Sequence, residues 1–281
     1  MKKELSFQLK SAFYSKNFLM ILAISIIFGI VCFFIKCFEC YGEDIINVPA
    51  AYQQFFTNAK SNDSFVSILS VASPFLICAA FSDSYVIESN NLFVPICIIR
   101  EGKNKYYFSK LIAVFICGAL VMVIPQLINL ILCVCTFPLE STYMYTWDLW
   151  QADIYTIDIV NDWFLFKNLY ILSPYLYFLL FILICGVLSG IIAVISYEIS
   201  FFVKNKIFVV SFMFIFINLS NVFFESYMIP YNIVNCMFGL SVSTISFESF
   251  VVTLLSYFFV MIFLTPFSLR RLKIVYKSVL F

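Results

Sequence analysis

Residues 168–197, NLYILSPYLYFLLFILICGVLSGIIAVISY, form a continuous apolar run without a charged side chain. About 20 predominantly apolar residues suffice for a helix to cross the ~30 Å hydrocarbon core of a bilayer. Of the 281 residues in the chain, 63% are hydrophobic and only 12% are charged, about half the charged fraction of a soluble domain. This composition excludes a soluble globular enzyme and a disordered protein. It predicts an all-α, polytopic membrane protein.

Five more charge-free runs lie on either side of this one, so the sequence predicts six transmembrane helices in a single transmembrane domain, 1–281. The spans are expected at about 17–35, 64–82, 111–135, 171–197, 207–224 and 249–269. A seventh charge-free run, Ser226–Phe247, is a poorer span because it contains Pro230, Asn232 and Gly239. Length alone does not reject it.

The distribution of basic residues decides the topology. With six spans, fourteen of the 17 lysines and arginines fall in the segments 1–16, 83–110, 198–206 and 270–281. Cytoplasmic loops carry an excess of Lys and Arg, so we expect both termini in the cytoplasm. The composition, rich in Phe, Ile and Asn and poor in Ala, indicates an AT-rich bacterial genome, so we expect the chain in the cytoplasmic membrane of a bacterial cell. The run 226–247 then becomes a re-entrant or interfacial element on the outer side, between the fifth and sixth helices.

The N-terminal segment predicts an amphipathic interfacial helix. Leu5, Leu9, Ala12 and Phe13 fall on one helical face, which would lie on the cytoplasmic leaflet. The alternative is a basic flank that only sets the topology. No small-residue cleavage site follows the first apolar run, so we do not expect a cleaved signal peptide.

Two loops stand out by composition. The segment 83–110 combines an apolar stretch interrupted by Pro95 with several basic residues, and it would face a cytosolic partner or lipid headgroups. The outer loop 136–170 is acidic and holds all three tryptophans of the chain. Tryptophan is typical of the membrane interface. The alternative is a docking surface for a cationic, amphipathic molecule.

Most catalytic chemistry is missing from this sequence. The chain has no histidine, which excludes His-ligated metals, the common catalytic triads and His proton relays. Gly102-Lys103 lacks the rest of a phosphate-binding loop, and no pair of catalytic carboxylates lies in the spans. Cys37-Phe-Glu-Cys40 is a weak redox signal, and the sequence leaves open whether the two cysteines pair. We therefore expect no enzyme activity in this chain.

Ionisable groups are absent from the centres of the spans, which disfavours ion coupling. Glu198, Glu225 and Glu248 lie at the edges. The polar groups within the spans are amides and hydroxyls. The amides form two pairs, each one turn apart: Gln126 with Asn129, and Asn218 with Asn221. These pairs either hydrogen-bond between helices or line a substrate path. The net charge of +1 predicts no nucleic-acid partner.

The architecture resembles an ABC-2 type permease, the membrane subunit of a type-2 ABC exporter. The resemblance lies in six spans with both ends inside, an amphipathic N-terminal helix, a re-entrant element before the last span, and a loop pattern. That pattern consists of Glu88 followed by Arg100, Tyr106 and Lys110; the glycine usual soon after the Glu is replaced by Ser89-Asn90-Asn91.

The resemblance implies that two permease subunits, identical or similar, form the translocation path in the lipid membrane. Two copies of a cytosolic ABC ATPase subunit would bind ATP and Mg²⁺, so this chain itself would hold no cofactor. The ATPase would dock on the N-terminal helix and on a coupling loop. The expected coupling residues are Glu88, Arg100, Lys103, Lys105, Tyr106 and Lys110.

The acidic, Trp-bearing outer loop indicates a cationic peptide as substrate, such as an antimicrobial or bacteriocin-like peptide that is exported or cleared from the membrane. Two other functions stay open from the sequence. One is a secondary transporter, and the other is a non-transporting scaffold or sensor subunit that binds a different cytosolic partner.

Overall fold

The computed structural model describes residues 2–44, 47–58, 63–91, 93–140, 165–227, 229, 231–238 and 246–280. In these ranges the chain is helical and contains no β-strand. The predicted all-α class is confirmed. The twelve helices in the described ranges are α1 (Lys2–Phe13), α2 (Lys16–Glu39), α3 (Ala51–Gln54), α4 (Asp63–Phe81), α5 (Ser84–Asn90), α6 (Phe93–Glu101), α7 (Lys103–Thr136), α8 (Lys167–Leu172), α9 (Pro174–Ile199), α10 (Lys206–Ser226), α11 (Ile233–Phe238) and α12 (Phe247–Leu280).

Six helical stretches within the described ranges are long and apolar enough to cross a membrane, which confirms the predicted number. They are Lys16–Glu39, Ser64–Asn90, Lys103–Thr136, Pro174–Ile199, Lys206–Phe224 and Phe247–Ile274. The protein is therefore a multi-pass membrane protein by the length and composition of its helices. The stretch in α9 is the most buried of the six, and the stretch in α12 is the least.

Local capping fixes where the long helices begin. The Ser15 hydroxyl accepts a hydrogen bond from the Phe18 amide at 3.3 Å and starts α2. Ser173 caps α9 in the same way, and Pro174 occupies the first helical position, where its missing N–H costs nothing. Ile171 and Leu172, the first residues of the predicted fourth span, therefore lie in the separate short helix α8.

Helices α7 and α9 form the centre of the bundle and approach each other closely through glycines. A Cβ atom added at Gly118 would lie 2.5 Å from the Ala193 Cβ, and one at Gly190 would lie 2.6 Å from the Phe115 ring. Gly186 and Gly190 form a G-x-x-x-G pattern, which allows close helix packing in membranes. A larger residue at either position would clash with a side chain of the facing helix, and glycine avoids this clash.

The bundle has two distinct ends. We call the first the α1 end; it carries α1, the first residues of α2 and α7, and the last residues of α9. There the Tyr107 hydroxyl donates to Glu198 at 2.7 Å. The opposite end carries α3, and we call it the α3 end. There the Ala51 amide donates to the Pro138 carbonyl at 2.8 Å, which connects α3 to the residues that follow α7.

Helix α1 packs mainly along α7. Its most buried side chains are Gln8 and Ala12, whereas Leu5 and Leu9 are half-buried and Phe13 is exposed. The apolar face predicted from the sequence is therefore rotated in the structure, with Gln8 at its centre. This face of α1 packs against α7, and the opposite face is exposed.

Helix α6 continues through Pro95 and is not interrupted there. Pro95 is the third residue of α6 and lies in its first turn, where a helix has free N–H positions and proline is tolerated. The expectation that Pro95 breaks the apolar stretch was wrong for this reason. The chain turns between α6 and α7 at Gly102, whose φ is +82° and ψ is 142°, a backbone conformation that is essentially restricted to glycine.

Gly102→Ala is expected to lower the free energy of unfolding by about 1–3 kcal/mol, because an alanine would be strained at this positive φ. An added Cβ would meet nothing within 4 Å, so the effect would come from the backbone alone. Thermal unfolding of the purified variant in detergent measures it. Asn104→Ala, at an exposed position in the first turn of α7, is the matched control and should not lower stability. Equal stability of both variants would contradict the interpretation.

The poorest charge-free run contains the short helix α11. Its residues Ile233, Val234, Cys236, Met237 and Phe238 are buried, and it packs mainly against α9. The residues of this run around α11 therefore pack against the bundle, and α11 is too short to span a membrane.

Candidate coupling site at the α1 end

Three of the predicted coupling residues meet in one cluster. The Glu88 carboxylate of α5 accepts a hydrogen bond from the Tyr106 hydroxyl at 2.6 Å and forms an ion pair with the Lys110 ammonium group. Tyr106 and Lys110 lie four residues apart on α7 and therefore on the same helical face. The cluster joins the end of the second spanning stretch to the start of the third.

Lys110 is fully buried, which makes Glu88 essential to it. The side chain has no exposed surface, and its ammonium group lies 4.7 Å from the centre of the Phe81 ring, a favourable cation–π position. A buried charge is costly unless it is paired and hydrogen-bonded. The Glu88–Lys110 pair is therefore a structural connection as well as a candidate coupling element.

The other predicted coupling residues lie at the surface. Arg100 lies in the last turn of α6 and is exposed, Lys105 is exposed, and Lys103 is half-buried. Within the described residues none of these three side chains forms an ion pair. The structure thus separates the predicted set into a buried cluster around Glu88 and a basic surface around Gly102.

An open cleft of about 280 Å³ lies beside the buried cluster. It runs between the junction of α1 with α2 and the junction of α4 with α5. Ser15 and Asn17 line one side, and Asp83, Ser84 and Glu88 line the other. The Asn17 amide donates to the Asp83 carboxylate at 3.4 Å. Phe81 and Ile87 also line the cleft, so it offers a mixed polar and apolar surface to a protein segment.

The sequence does not predict one further buried carboxylate at this end. Glu198 is fully buried. Its Oε1 atom accepts hydrogen bonds from the Tyr107 hydroxyl at 2.7 Å and from the Thr265 hydroxyl at 2.9 Å. The apolar run in the sequence ends at Tyr197, so Glu198 was placed at the edge of the span, whereas α9 extends to Ile199. The only sequence signal was its position directly after that run.

The amides of α7 hold helices together. The Asn129 side chain is fully buried; its Nδ2 atom donates to the Gly29 carbonyl at 2.9 Å, and its Oδ1 atom accepts from the Phe56 amide at 3.2 Å. The Gln126 Nε2 atom donates to the Cys185 sulfur at 3.1 Å. These bonds connect α7 to α2, to the segment after α3 and to α9, and they favour the packing interpretation.

The amides of α10 bond elsewhere. The Asn218 side chain donates to the Phe214 carbonyl at 2.9 Å and to the Val71 carbonyl of α4 at 3.4 Å. Asn221 is buried, and its Oδ1 atom has no hydrogen-bond partner among the described residues. The described bonds of the two amide pairs thus go to different helices. A substrate path along these four residues stays a prediction.

The Cys37-Phe-Glu-Cys40 segment lies at the end of α2, at the α3 end, and both thiols are free. The Cys40 sulfur accepts a hydrogen bond from the Gln54 amide at 3.4 Å. Burial, together with the neighbouring Glu39 carboxylate, raises the pKa of the Cys40 thiol above its usual value. A raised pKa lowers the thiolate fraction and therefore the reactivity, which disfavours a redox role.

The acidic outer loop falls mostly outside the described residues. Trp147, Trp150 and Trp163 all lie in 141–164, so the structure describes neither an aromatic belt nor a docking surface there.

Comparison of the chain with protein-family models, with curated proteins and with solved structures found no match. The class that the fold defines is an all-helical, multi-pass membrane protein.

Proposed function

We propose that this chain is the membrane-spanning permease subunit of an ATP-driven ABC transporter. It would export a substrate or clear it from the membrane, with energy supplied by a separate cytosolic ATPase. The observation that carries the proposal is the arrangement at the α1 end. There α1 and the helix pair α5–α6 lie beside the buried Glu88–Tyr106–Lys110 cluster, where the resemblance places the coupling region.

The surface around this cluster suits a protein partner that carries negative charge. Arg100 and Lys105 are exposed, and the cleft next to Glu88 is open. Complementary charge steers association and fixes the register of docking. Because the cluster connects α5 to α7, a displacement of α5 or α6 by a bound partner would be transmitted to α7 through Glu88. The exposed Lys204 and Lys206 in the turn after α9 would add a minor contact.

The proposal sets the α1 end in the cytoplasm of a bacterial cell, with both termini inside and the bundle in the cytoplasmic membrane. In this orientation 226–247 is a re-entrant or interfacial element on the outer side. The burial of α11 against α9 supports the re-entrant form. Two copies of the ATPase would bind ATP and Mg²⁺, and a second permease subunit, identical or similar, would complete the path within the lipid. The substrate class that the acidic outer loop favours is a cationic antimicrobial or bacteriocin-like peptide.

The first test is purification of the tagged chain from native membranes in mild detergent, with identification of co-purifying proteins and an assay of vanadate-sensitive ATP hydrolysis. The expected result is a stoichiometric soluble ATPase whose activity is lost when residues 2–16 are removed. Absence of both the ATPase and the hydrolysis would overturn the proposal.

Removing the basic surface is expected to weaken ATPase binding. The triple variant Arg100→Ala, Lys103→Ala, Lys105→Ala deletes three cations. Exposed ion pairs contribute on the order of 0.5 kcal/mol each, so the expected loss of ATPase affinity is about tenfold. Quantitative co-purification and ATP hydrolysis measure this loss.

The matched control is the triple variant Arg270→Ala, Arg271→Ala, Lys273→Ala, which removes three exposed cations of α12 at the same end. It should retain ATPase binding. Equal losses in the two triple variants would show that net charge alone acts, and would contradict a coupling surface at α6 and α7.

A secondary transporter is the second candidate, and one observation favours it: Glu198 is an ionisable group buried in a spanning helix. Ion-gradient-driven flux without a co-purifying ATPase would support it. For a scaffold or sensor subunit, the expected result is a stoichiometric partner that is not an ATPase.

A further inference from the structure

Glu198 lies where three helices meet, and the side-chain atoms described in hydrogen bonds with it there are all oxygens. The carboxylate belongs to α9, Tyr107 comes from α7, and Thr265 and Ser268 come from α12. Tyr107 and Thr265 donate to the carboxylate Oε1 atom, and the Ser268 hydroxyl lies 3.4 Å from the Glu198 carbonyl oxygen. The other carboxylate oxygen, Oε2, is buried and has no hydrogen-bond partner among the described residues.

None of the ion pairs described at this end involves Glu198, and two of its basic side chains contact other groups. Lys110 pairs with Glu88, and the Arg271 guanidinium lies 5.8 Å from the centre of the Phe202 ring. The titratable groups that face Glu198 are Tyr107 of α7 and Tyr197 of α9, while α12 contributes the hydroxyls of Thr265 and Ser268. The carboxylate therefore has no protein cation in contact within the described chain.

The position of Glu198 in α9 makes its negative charge more costly. It is the penultimate residue of α9, and the C-terminal end of a helix carries partial negative charge from its free carbonyl groups. The two hydroxyl donors compensate the buried carboxylate in part, and a positive charge bound from outside the protein would compensate the rest. Carboxylate, hydroxyl and carbonyl oxygens at a helix C-terminus are the atoms that hold sodium ions and protons in membrane proteins.

We propose that Glu198, Tyr107, Thr265 and Ser268 form a binding site for one monovalent cation, either a proton or a sodium ion. The bound cation neutralises the buried carboxylate and so stabilises the contact of α12 with α7 and α9. The site belongs to this chain alone and does not depend on an ATPase. Its failure and the failure of the proposed transporter function are therefore distinguishable.

The test uses the full chain purified in detergent, and the probes are sodium ions and protons. Thermal unfolding is followed while sodium replaces choline at constant ionic strength and pH, and then in sodium-free buffer from mildly acidic to mildly alkaline pH. A sodium site raises the melting temperature as sodium is added. A proton site makes the melting temperature fall as pH rises, because the folded state then holds the extra proton, with no response to sodium.

Glu198→Gln keeps the acceptor oxygen for Tyr107 and Thr265 and removes the charge. Whichever dependence the wild-type protein shows, this variant should lose it. Glu248→Gln, which changes an exposed carboxylate at the start of α12, is the matched control and should retain the wild-type dependence. Identical sodium and pH dependences in wild type and Glu198→Gln would overturn the proposal.

Thr265→Val provides a second test should Glu198→Gln fail to fold. It keeps the carboxylate and removes one hydroxyl oxygen. For a sodium site, the sodium concentration at half-maximal stabilisation should rise severalfold. For a proton site, loss of a donor to the ionised carboxylate should move the midpoint of the pH dependence to higher pH. An unchanged midpoint in both titrations would also overturn the proposal.

Discussion

Glu88→Ala is expected to lower the free energy of unfolding by on the order of 3 kcal/mol. The substitution leaves the Lys110 ammonium group charged and fully buried without its carboxylate. It also removes the acceptor of the Tyr106 hydroxyl. Thermal unfolding of the purified protein in detergent measures the loss, and membrane insertion should persist because the apolar helices are unchanged.

Removing both charges separates the cost of an unpaired lysine from the value of the pair. The double variant Glu88→Gln, Lys110→Met has no buried charge, and a glutamine can still accept from Tyr106. We expect it to be markedly more stable than Glu88→Ala, since a buried pair contributes little net stability. A wild-type melting temperature in Glu88→Ala would show that Lys110 does not depend on Glu88.

The ion pair between Glu88 and the buried Lys110 changes how the coupling residues should be tested. The resemblance to ABC-2 permeases implies that Glu88→Ala and Arg100→Ala both impair ATPase coupling. In the structure Glu88 is part of a buried cluster, whereas Arg100 is exposed. Loss of activity in Glu88→Ala would therefore combine lost stability with lost coupling, and Arg100→Ala is the cleaner probe of the surface.

Gly118→Ala is expected to destabilise the bundle by about 1–3 kcal/mol through overpacking. The new Cβ would lie 2.5 Å from the Ala193 Cβ and 3.1 Å from the Ser189 carbonyl oxygen. Both atoms belong to the most buried spanning helix, so neither can move away without shifting α9. The melting temperature in detergent measures the effect.

A second substitution tests the cause directly. Ala193→Gly removes the atom at 2.5 Å, so the double variant Gly118→Ala, Ala193→Gly should recover most of the lost stability. Ala193→Gly alone is the control, and it should be mildly destabilising because glycine weakens a helix. Additive losses in the double variant would contradict the proposed contact between these two positions.

The number of spanning helices was predictable because it depends on local composition. A bilayer demands a run of apolar residues, and each such run is visible without tertiary information. The helix bounds were less predictable. Helix α7 begins at Lys103, before the apolar run, because Gly102 sets its start. Hydropathy predicts which part of a helix lies in lipid, whereas capping residues and glycines determine where the helix begins.

The candidate site was predictable in part for a similar reason. Tyr106 and Lys110 share a face by their spacing alone, and the resemblance supplied Glu88. The separation of Arg100 from Glu88 and the burial of Glu198 depend on how α6, α9 and α12 pack. No periodicity in the sequence encodes such contacts. The α7–α9 contact had a local signal in Gly186 and Gly190, which the sequence reasoning did not use.

The neighbouring tyrosines at the start of α7 give this helix a particular mechanical role. Tyr106 bonds to Glu88 of α5, and Tyr107 bonds to Glu198 of α9. Adjacent side chains on a helix point about 100° apart, so one turn of α7 reaches two neighbours in different directions. Rotation of α7 about its own axis must strain both bonds at once, whereas a displacement of α5 strains only the first. Rotation of α7 is therefore resisted by hydrogen bonds to both α5 and α9, whereas a displacement of α5 is resisted at this turn by the Tyr106–Glu88 hydrogen bond and not by Tyr107.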